Sequence, residues 1–388
     1  MKKRNLAYMF VGVMAMGLAS CQPNVSSSES DALVSHIDST VKPGDDFFMF
    51  ANGKWFKEHP IPASEQSNGI FQIIQDTVNT QVRDICESSA AMANAEKGSN
   101  RQKIGDFFYP GMDSVSLNKN GITPLKADFG RIDNIRNNKD LFQELAYIQT
   151  VAGSPMFGFY VGQDDKNSSK NAVFVSQGGL SLPDRDYYFA TDDRAKMIRT
   201  KFVAYLDSMY TIMGYDKAEA TKAADNTMKL ETALARSSRK REDTRDPLKN
   251  YNKMSFAQLN QDTPNIDWNV FTEGMGLAQV DSVIVGQPEF LTALNGYLKT
   301  FPMSVWKDYL KFHLLNGLAS YLDDHTYMTA FNFYSKTLRG IQEPRPRWKR
   351  VVGLTNRALG DLVGQVYVKD YLPAGTKEKL LEIGHAIK

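Results

Sequence analysis

Long stretches of this chain repeat their apolar residues at the period of an α-helix, and that spacing limits the fold more than any other feature. Phe202, Tyr205, Leu206 and Met209 stand at i, i+3, i+4 and i+7, which puts all four on one helix face. Trp306, Tyr309, Leu310, His313 and Gly317 obey the same rule, and Pro302 sits where the start of a helix tolerates proline. A third apolar-periodic stretch follows Asn68-Gly69 and runs from Ile70 to about Cys86. Strand signals are few. Phe157-Gly158-Phe159-Tyr160-Val161 and Ala172-Val173-Phe174-Val175-Ser176 flank a polar link, Gln163 to Lys170, in the pattern of a β-hairpin. Two strands are too few to stand alone. Val283-Ile284-Val285-Gly286 reads as a third strand or as a buried turn. The patterns predict a mainly α fold, a large helical lobe with a small β-hairpin element. Apolar residues at 42% and charged residues at 23% give the balance of a folded chain rather than a disordered one.

The first twenty residues are of another kind. Lys2, Lys3 and Arg4 precede an apolar run from Leu6 to Leu18. That run is shorter than the roughly 20 residues a membrane-spanning helix needs, and it reads as a secretory signal. Leu18-Ala19-Ser20-Cys21 resembles the lipobox of bacterial lipoproteins, in which the signal is cut before the cysteine and the cysteine is acylated. The resemblance implies that Cys21 is a lipid anchor, each buried CH₂ contributing about 0.8 kcal/mol of membrane affinity. The plainer alternative is an ordinary buried cysteine after a plain signal. Gln22 leans toward the outer membrane, so the expected location is the bacterial cell envelope. With Cys21 acylated, Cys86 has no partner for an internal disulfide. From Gln22 to about Thr40 the chain is polar and serine-rich, a flexible tether reaching at most roughly 60 Å. The expected organisation is a signal over 1–20, a tether over 21–40 and a folded body over 41–388.

Common catalytic motifs are lacking: there is no G-x-S-x-G, no G-x-x-x-x-G-K-[ST] and no C-x-x-C. A helical zinc hydrolase motif needs two histidines four residues apart with a glutamate beside them. His36, His59, His313, His325 and His385 are not paired in that way. His313 falls on an apolar face and reads as a packed core histidine. Glu382 and His385 make a single Glu-x-x-His, whereas a di-metal bundle needs two such pairs, so they are assigned to the surface. No residue is therefore assigned a catalytic or metal-binding role. A net charge of +2 offers no bulk attraction to nucleic acid. Arg236, Arg239, Lys240, Arg241 and Arg245, mixed with Glu242, Asp243 and Asp246, read as a solvated helix end or loop. Arg345, Arg347, Lys349 and Arg350 surround Pro346 and Trp348. They suit either an anion or a guanidinium packed on Trp348 by cation–π contact, and the second, structural reading is preferred.

Pro43-Gly44-Asp45-Asp46-Phe47-Phe48, Asn52-Gly53-Lys54-Trp55, Ile61-Pro62 and Gly69-Ile70-Phe71 resemble the opening of the neprilysin and endothelin-converting-enzyme family. The resemblance resumes at Lys103-Ile104-Gly105-Asp106-Phe107-Phe108 and Gly111-Met112-Asp113. Its most specific block is Gln177-Gly178-Gly179-Leu180-Ser181-Leu182-Pro183-Asp184-Arg185-Asp186-Tyr187-Tyr188. Tyr251-Asn252-Lys253-Met254, Ile266-Asp267-Trp268, Pro346-Arg347-Trp348-Lys349 and Gly364-Gln365-Val366-Tyr367-Val368 follow in the family's order. Asp184, Arg185 and Asp186 are expected to form local charge-assisted hydrogen bonds that fix the tyrosines after them.

The resemblance implies a zinc metalloendopeptidase that cleaves small peptides, with this chain as its chamber-forming N-terminal lobe. The zinc, its H-E-x-x-H and a third glutamate ligand would belong to a thermolysin-like C-terminal catalytic lobe beyond Lys388, which this sequence lacks. Where some animal members place arginines to clamp a substrate carboxylate, this chain has Ser67 and Gln75. The chain alone is then expected to be inactive and zinc-free. It is also expected to expose apolar surface along the helices from Val352 to Ile387, where its own catalytic lobe would dock. The alternative is a non-enzymatic helical surface lipoprotein that binds peptides or glycans.

Overall fold

A computed structural model describes residues 32–277 and 280–388. Cys21, the signal and the first part of the tether lie outside the described residues. The longer helices are α1 (Phe47–Glu58), α2 (Ile70–Ala90), α3 (Asn100–Met112), α4 (Asn138–Val151), α5 (Asp193–Ile212), α6 (Lys217–Ser237), α7 (Pro288–Thr300), α8 (Met303–Leu318), α9 (Arg347–Tyr371) and α10 (Thr376–Ile387). The strands are β1 (Phe157–Asp164), β2 (Asn167–Gln177), β3 (Asn252–Ser255) and β4 (Ser282–Val285). The mainly helical expectation is met. The chain divides into two compact units, one of residues up to Pro62 with Ser67–Ile70, the other of Ala63–Gln66 with Phe71–Lys388.

In the first unit, Asp46 caps α1 by accepting from the Met49 amide at 2.9 Å. A short helix, Ala32–His36, precedes it. Asp38 is buried and accepts from Lys57 Nζ at 2.6 Å and from the Thr40 hydroxyl at 2.5 Å. A buried carboxylate held by a cation and a hydroxyl needs a fixed backbone. Within the stretch expected to be a tether, Ala32–His36 is thus helical and Asp38 is buried.

The second unit has three apolar cores. One lies on a face of the sheet, where Phe157 packs on Trp268 and Phe271 with ring centroids 5.2 Å apart. The second joins α5, α6 and α8, and it buries Phe202, Tyr205, Leu206 and Met209 together, as their spacing demands. The third is smaller: Val82, Ile85 and Cys86 of α2 meet Ile104 and Phe108 of α3 and Val351 and Val352 of α9. Gly317 of α8 owes its identity to close approach, since a Cβ there would lie 2.1 Å from the Ala152 carbonyl oxygen.

The sheet runs β1-β2-β4-β3. The predicted hairpin is β1 and β2, antiparallel, with Tyr160 opposite Phe174. Val283–Val285 resolves as a strand, parallel to β2 with Phe174 opposite Ile284. β3 pairs antiparallel with β4 and has no strand-like composition of its own.

Two helix faces differ from what periodicity suggests. The apolar stripe of α2 is buried only from Val82 onward, while Ile73 and Ile74 are exposed and Phe71 is 85% exposed. Along α9, Val352, Val363 and Val366 are buried, and apolar exposure begins at Val368. No residue of α10 is buried, and Leu380, Leu381, Ile383 and Ile387 all face solvent. Among the described residues no helix is long and apolar enough to cross a membrane.

Candidate functional site

Glu231 of α6 organises a buried polar cluster. α6 buries Ala220, Ala224, Thr227, Leu230 and Leu234 on one face, and Glu231 falls on that face with its side chain fully buried. Its Oε2 accepts from the Ser181 amide at 3.0 Å and from the Tyr188 hydroxyl at 2.5 Å. Its Oε1 accepts from the Ser181 hydroxyl at 2.7 Å. A second tyrosine completes the clamp. Tyr309 of α8 donates to the Gly179 carbonyl at 2.7 Å and accepts from the Met156 amide at 3.2 Å. Gly179 has φ of 78°, a left-handed conformation that suits glycine. Burial, and then the charge of Glu231, push the Tyr188 and Tyr309 hydroxyls well above the usual tyrosine range, so both stay protonated.

The block from Gln177 to Tyr188 is thus pinned to α6 and α8. Asp184 accepts from the Asp186 amide at 2.9 Å, as expected locally. Arg185 pairs locally with Asp186 at 3.5 Å and also reaches the end of α6, donating to the Ala235 carbonyl at 3.2 Å, a favourable place for a cation. Every oxygen of Glu231 already accepts a hydrogen bond, and the group is shut away from solvent. The arrangement positions a loop; it offers no accessible acid, base or nucleophile. Motif and spacing do not single out Glu231, although an acid in register with the buried alanines of α6 is the available signal.

The second cation-rich block is fully engaged within the protein. Arg345 donates to Glu65 at 2.5 Å, and Lys349 lies 3.2 Å from Glu65 and 2.6 Å from Asp76. Arg347 donates to the Gly111 carbonyl at 3.0 Å and pairs with Asp324 at 2.9 Å. Arg350 lies over the Tyr327 ring at 3.9 Å. Trp348 does sit under a guanidinium, but it is that of Arg83 on α2, at 4.9 Å. Of the two readings of this block, the structural one holds. In the other basic run, Arg239 pairs with Glu289 and Arg236 lies over Phe189 at 5.5 Å, so these two are not simply solvated.

His313 packs against Tyr309 and Phe312, with ring centroids 4.2 and 5.4 Å away. Its Nε2 lies 3.5 Å from Glu231 and has no hydrogen-bond partner among the described residues. His325, Glu382 and His385 are exposed. Ser67 is exposed, and Gln75 is exposed with its amide donating to Asn79 at 3.2 Å, so neither position carries a clamping charge. Burial pushes the Cys86 thiol up to about 12, which leaves it unreactive. Among the described residues no group of three or more His, Cys, Asp or Glu side chains is placed to hold a metal ion. The residues present do not fit a zinc ion.

The fold is similar to that of Mycobacterium tuberculosis zinc metalloprotease Zmp1 in complex with an inhibitor, with a TM-score of 0.83 and 30% identity. That likeness covers 90% of this chain and 53% of the other. PepO from Lactobacillus rhamnosis HN001 (DR20) matches with a TM-score of 0.71 at 17% identity, over 88% of this chain and 54% of that one, and shows the fold alone. The architecture is that of the N-terminal helical lobe of a neprilysin-type metallopeptidase. Human endothelin-converting enzyme 1 is 27% identical over 409 residues, which cover 98% of this chain and 52% of that protein. The N-terminal profile of peptidase family M13 matches residues 43–388. The chain belongs to peptidase family M13, a family of zinc metallopeptidases. It spans about half the length of the relatives it matches.

Proposed function

We propose that this chain is the chamber-forming N-terminal lobe of a lipid-anchored zinc metalloendopeptidase that cleaves small peptides, and that it is inactive by itself. The observation that supports the reading is α10, an amphipathic helix whose apolar side chains Leu380, Leu381, Ile383 and Ile387 are exposed. Contiguous apolar surface of this kind marks an interaction face. A C-terminal catalytic lobe of the same protein is the partner in this reading, and it would supply the zinc site that the described residues lack. Cys21 would carry the lipid and hold the protein at the outer membrane of a bacterial envelope.

The purified chain is expected to bind no stoichiometric zinc and to show no chelator-sensitive hydrolysis of a quenched peptide. One zinc per chain by mass spectrometry, or hydrolysis abolished by a chelator, would overturn the division of labour. Labelled palmitate should enter the expressed protein and fail to enter Cys21→Ser. Equal labelling of both would refute the anchor.

A further inference from the structure

The sheet face turned away from Phe157 and Phe159 holds a cleft of about 520 Å³, separate from the Glu231 cluster and from α10. One wall is the cross-strand pair Tyr160 and Phe174, whose rings stack at 4.8 Å with 2° between their planes. Phe174 is buried and Tyr160 is 55% exposed, so the pair offers an aromatic wall to solvent. Ser176 and Gly286 lie beside it, and residues 244–250 close the opposite side.

The amide side chains of the cleft are already committed. Gln287 donates to Asn250 at 3.0 Å and accepts from the Gln177 backbone N–H at 2.8 Å, while the Gln177 side chain bonds the Arg239 backbone. Three groups are left over: the Ser176 hydroxyl, the Arg245 guanidinium and the Asp165 carboxylate have no side-chain hydrogen bond or ion pair among the described residues. Arg239, in the same basic run, is by contrast paired with Glu289. Arg245 and Asp165 are both exposed, so the aromatic-walled cleft presents an unpaired cation and an unpaired anion to a ligand.

We propose that this cleft binds a short zwitterion bearing an aromatic ring, a free aromatic amino acid or a dipeptide ending in one. The ring packs on Tyr160 and Phe174, the carboxylate meets Arg245, whose planar fork suits it, and the ammonium meets Asp165. The cleft volume lies in the range of small-molecule sites. A polyanion is disfavoured by Asp165, and a neutral sugar would leave both charges unused. The inference goes beyond the peptidase reading and stands whether or not that reading does, because it concerns binding by this chain and involves no hydrolysis.

The test is calorimetric titration of the full chain with Gly-Phe, its C-terminal amide, Gly-Gly and methyl glucoside. Gly-Phe is expected to saturate with a Kd of about 1 mM or tighter, and removal of the carboxylate or the ring should weaken it about tenfold. Arg245→Gln, at an exposed position, should keep the parent melting temperature and bind Gly-Phe no better than its amide. Tyr160→Leu should weaken Gly-Phe toward Gly-Gly. The proposal falls if Gly-Phe fails to saturate by about 10 mM, or if the parent binds the amide equally well. It also falls if the glucoside binds in its place, or if Arg245→Gln retains the carboxylate preference.

Discussion

Tyr188 donates its hydroxyl to Glu231 at 2.5 Å across 43 residues of sequence, and this contact ties the turn after the hairpin to the middle of α6. Removing the acceptor as Glu231→Ala strands the Ser181 amide, the Ser181 hydroxyl and the Tyr188 hydroxyl in a dry site. Stranded groups of this kind predict a loss of about 3 kcal/mol, and Tyr188→Phe should cost about 2 kcal/mol. The two effects share one interaction, so the double variant should lose clearly less than their sum. Urea unfolding of the four proteins checks this, and strict additivity would show that the contact carries no energy.

Gly317→Ala tests the closeness of α8 to the end of α4. Its new methyl would meet the Ala152 carbonyl at 2.1 Å, an overlap that only a backbone shift can relieve. The expected loss is about 2 kcal/mol. Gly353 is the matched control, exposed on α9 where an added methyl would find nothing within 4 Å. Gly353→Ala should gain about 0.5 kcal/mol from helix propensity alone. Thermal melts that move in the same direction for both variants would contradict the tight approach of α8 to Ala152.

Asp164 gives the fold an acid-sensitive latch. The Lys253 ammonium, the Lys166 amide and the Tyr251 hydroxyl hold its carboxyl down at about 2. A carboxyl whose folded value lies below its unfolded value of about 4 stabilises the fold fully above that value. The contribution is lost as pH falls from about 4 toward 2. The urea midpoint of the parent should therefore drop between pH 5 and pH 2.5 by more than that of Asp164→Asn. Parallel pH curves would rule the latch out.

The uncovered face of α10 should make the isolated chain self-associate. Light scattering is expected to show a mass that rises with concentration. Replacing Leu380, Ile383 and Ile387 with serine should restore a monomer without lowering the melting temperature, because none of the three is buried. A concentration-independent monomer in the parent would remove the main support for a docking partner.

The helices and the hairpin were legible because their side chains repeat at the periods that geometry dictates, as Phe202 to Met209 and Phe157 to Val161 do. β3 was not, because Asn252–Ser255 becomes a strand only by completing the edge of β4, a tertiary cause with no local trace. The first turns of α2 misled in the opposite way: Ile70 to Ile74 have the right spacing for a core, yet periodicity reports a stripe and not what covers it. The folded stretch around Asp38 is hidden in the sequence because its serine-rich surroundings mask one ion pair with Lys57. Of the polar sites, the Arg345–Arg350 block was visible as a cluster, but its partners Glu65 and Asp76 lie far off in sequence.

The parallel pairing of β2 with β4 sets an order of events for a chain that emerges from its N-terminus. Gln177 and its partner Gln287 are 110 residues apart. The hairpin can close at once and α5 can pair with its neighbour α6 soon after, but the inner edge of β2 waits for residues 282–285. During that interval Val173, Phe174 and Val175 present an unsatisfied, greasy border, the kind that invites a stray strand. Arrival of the β4 segment is what closes that border.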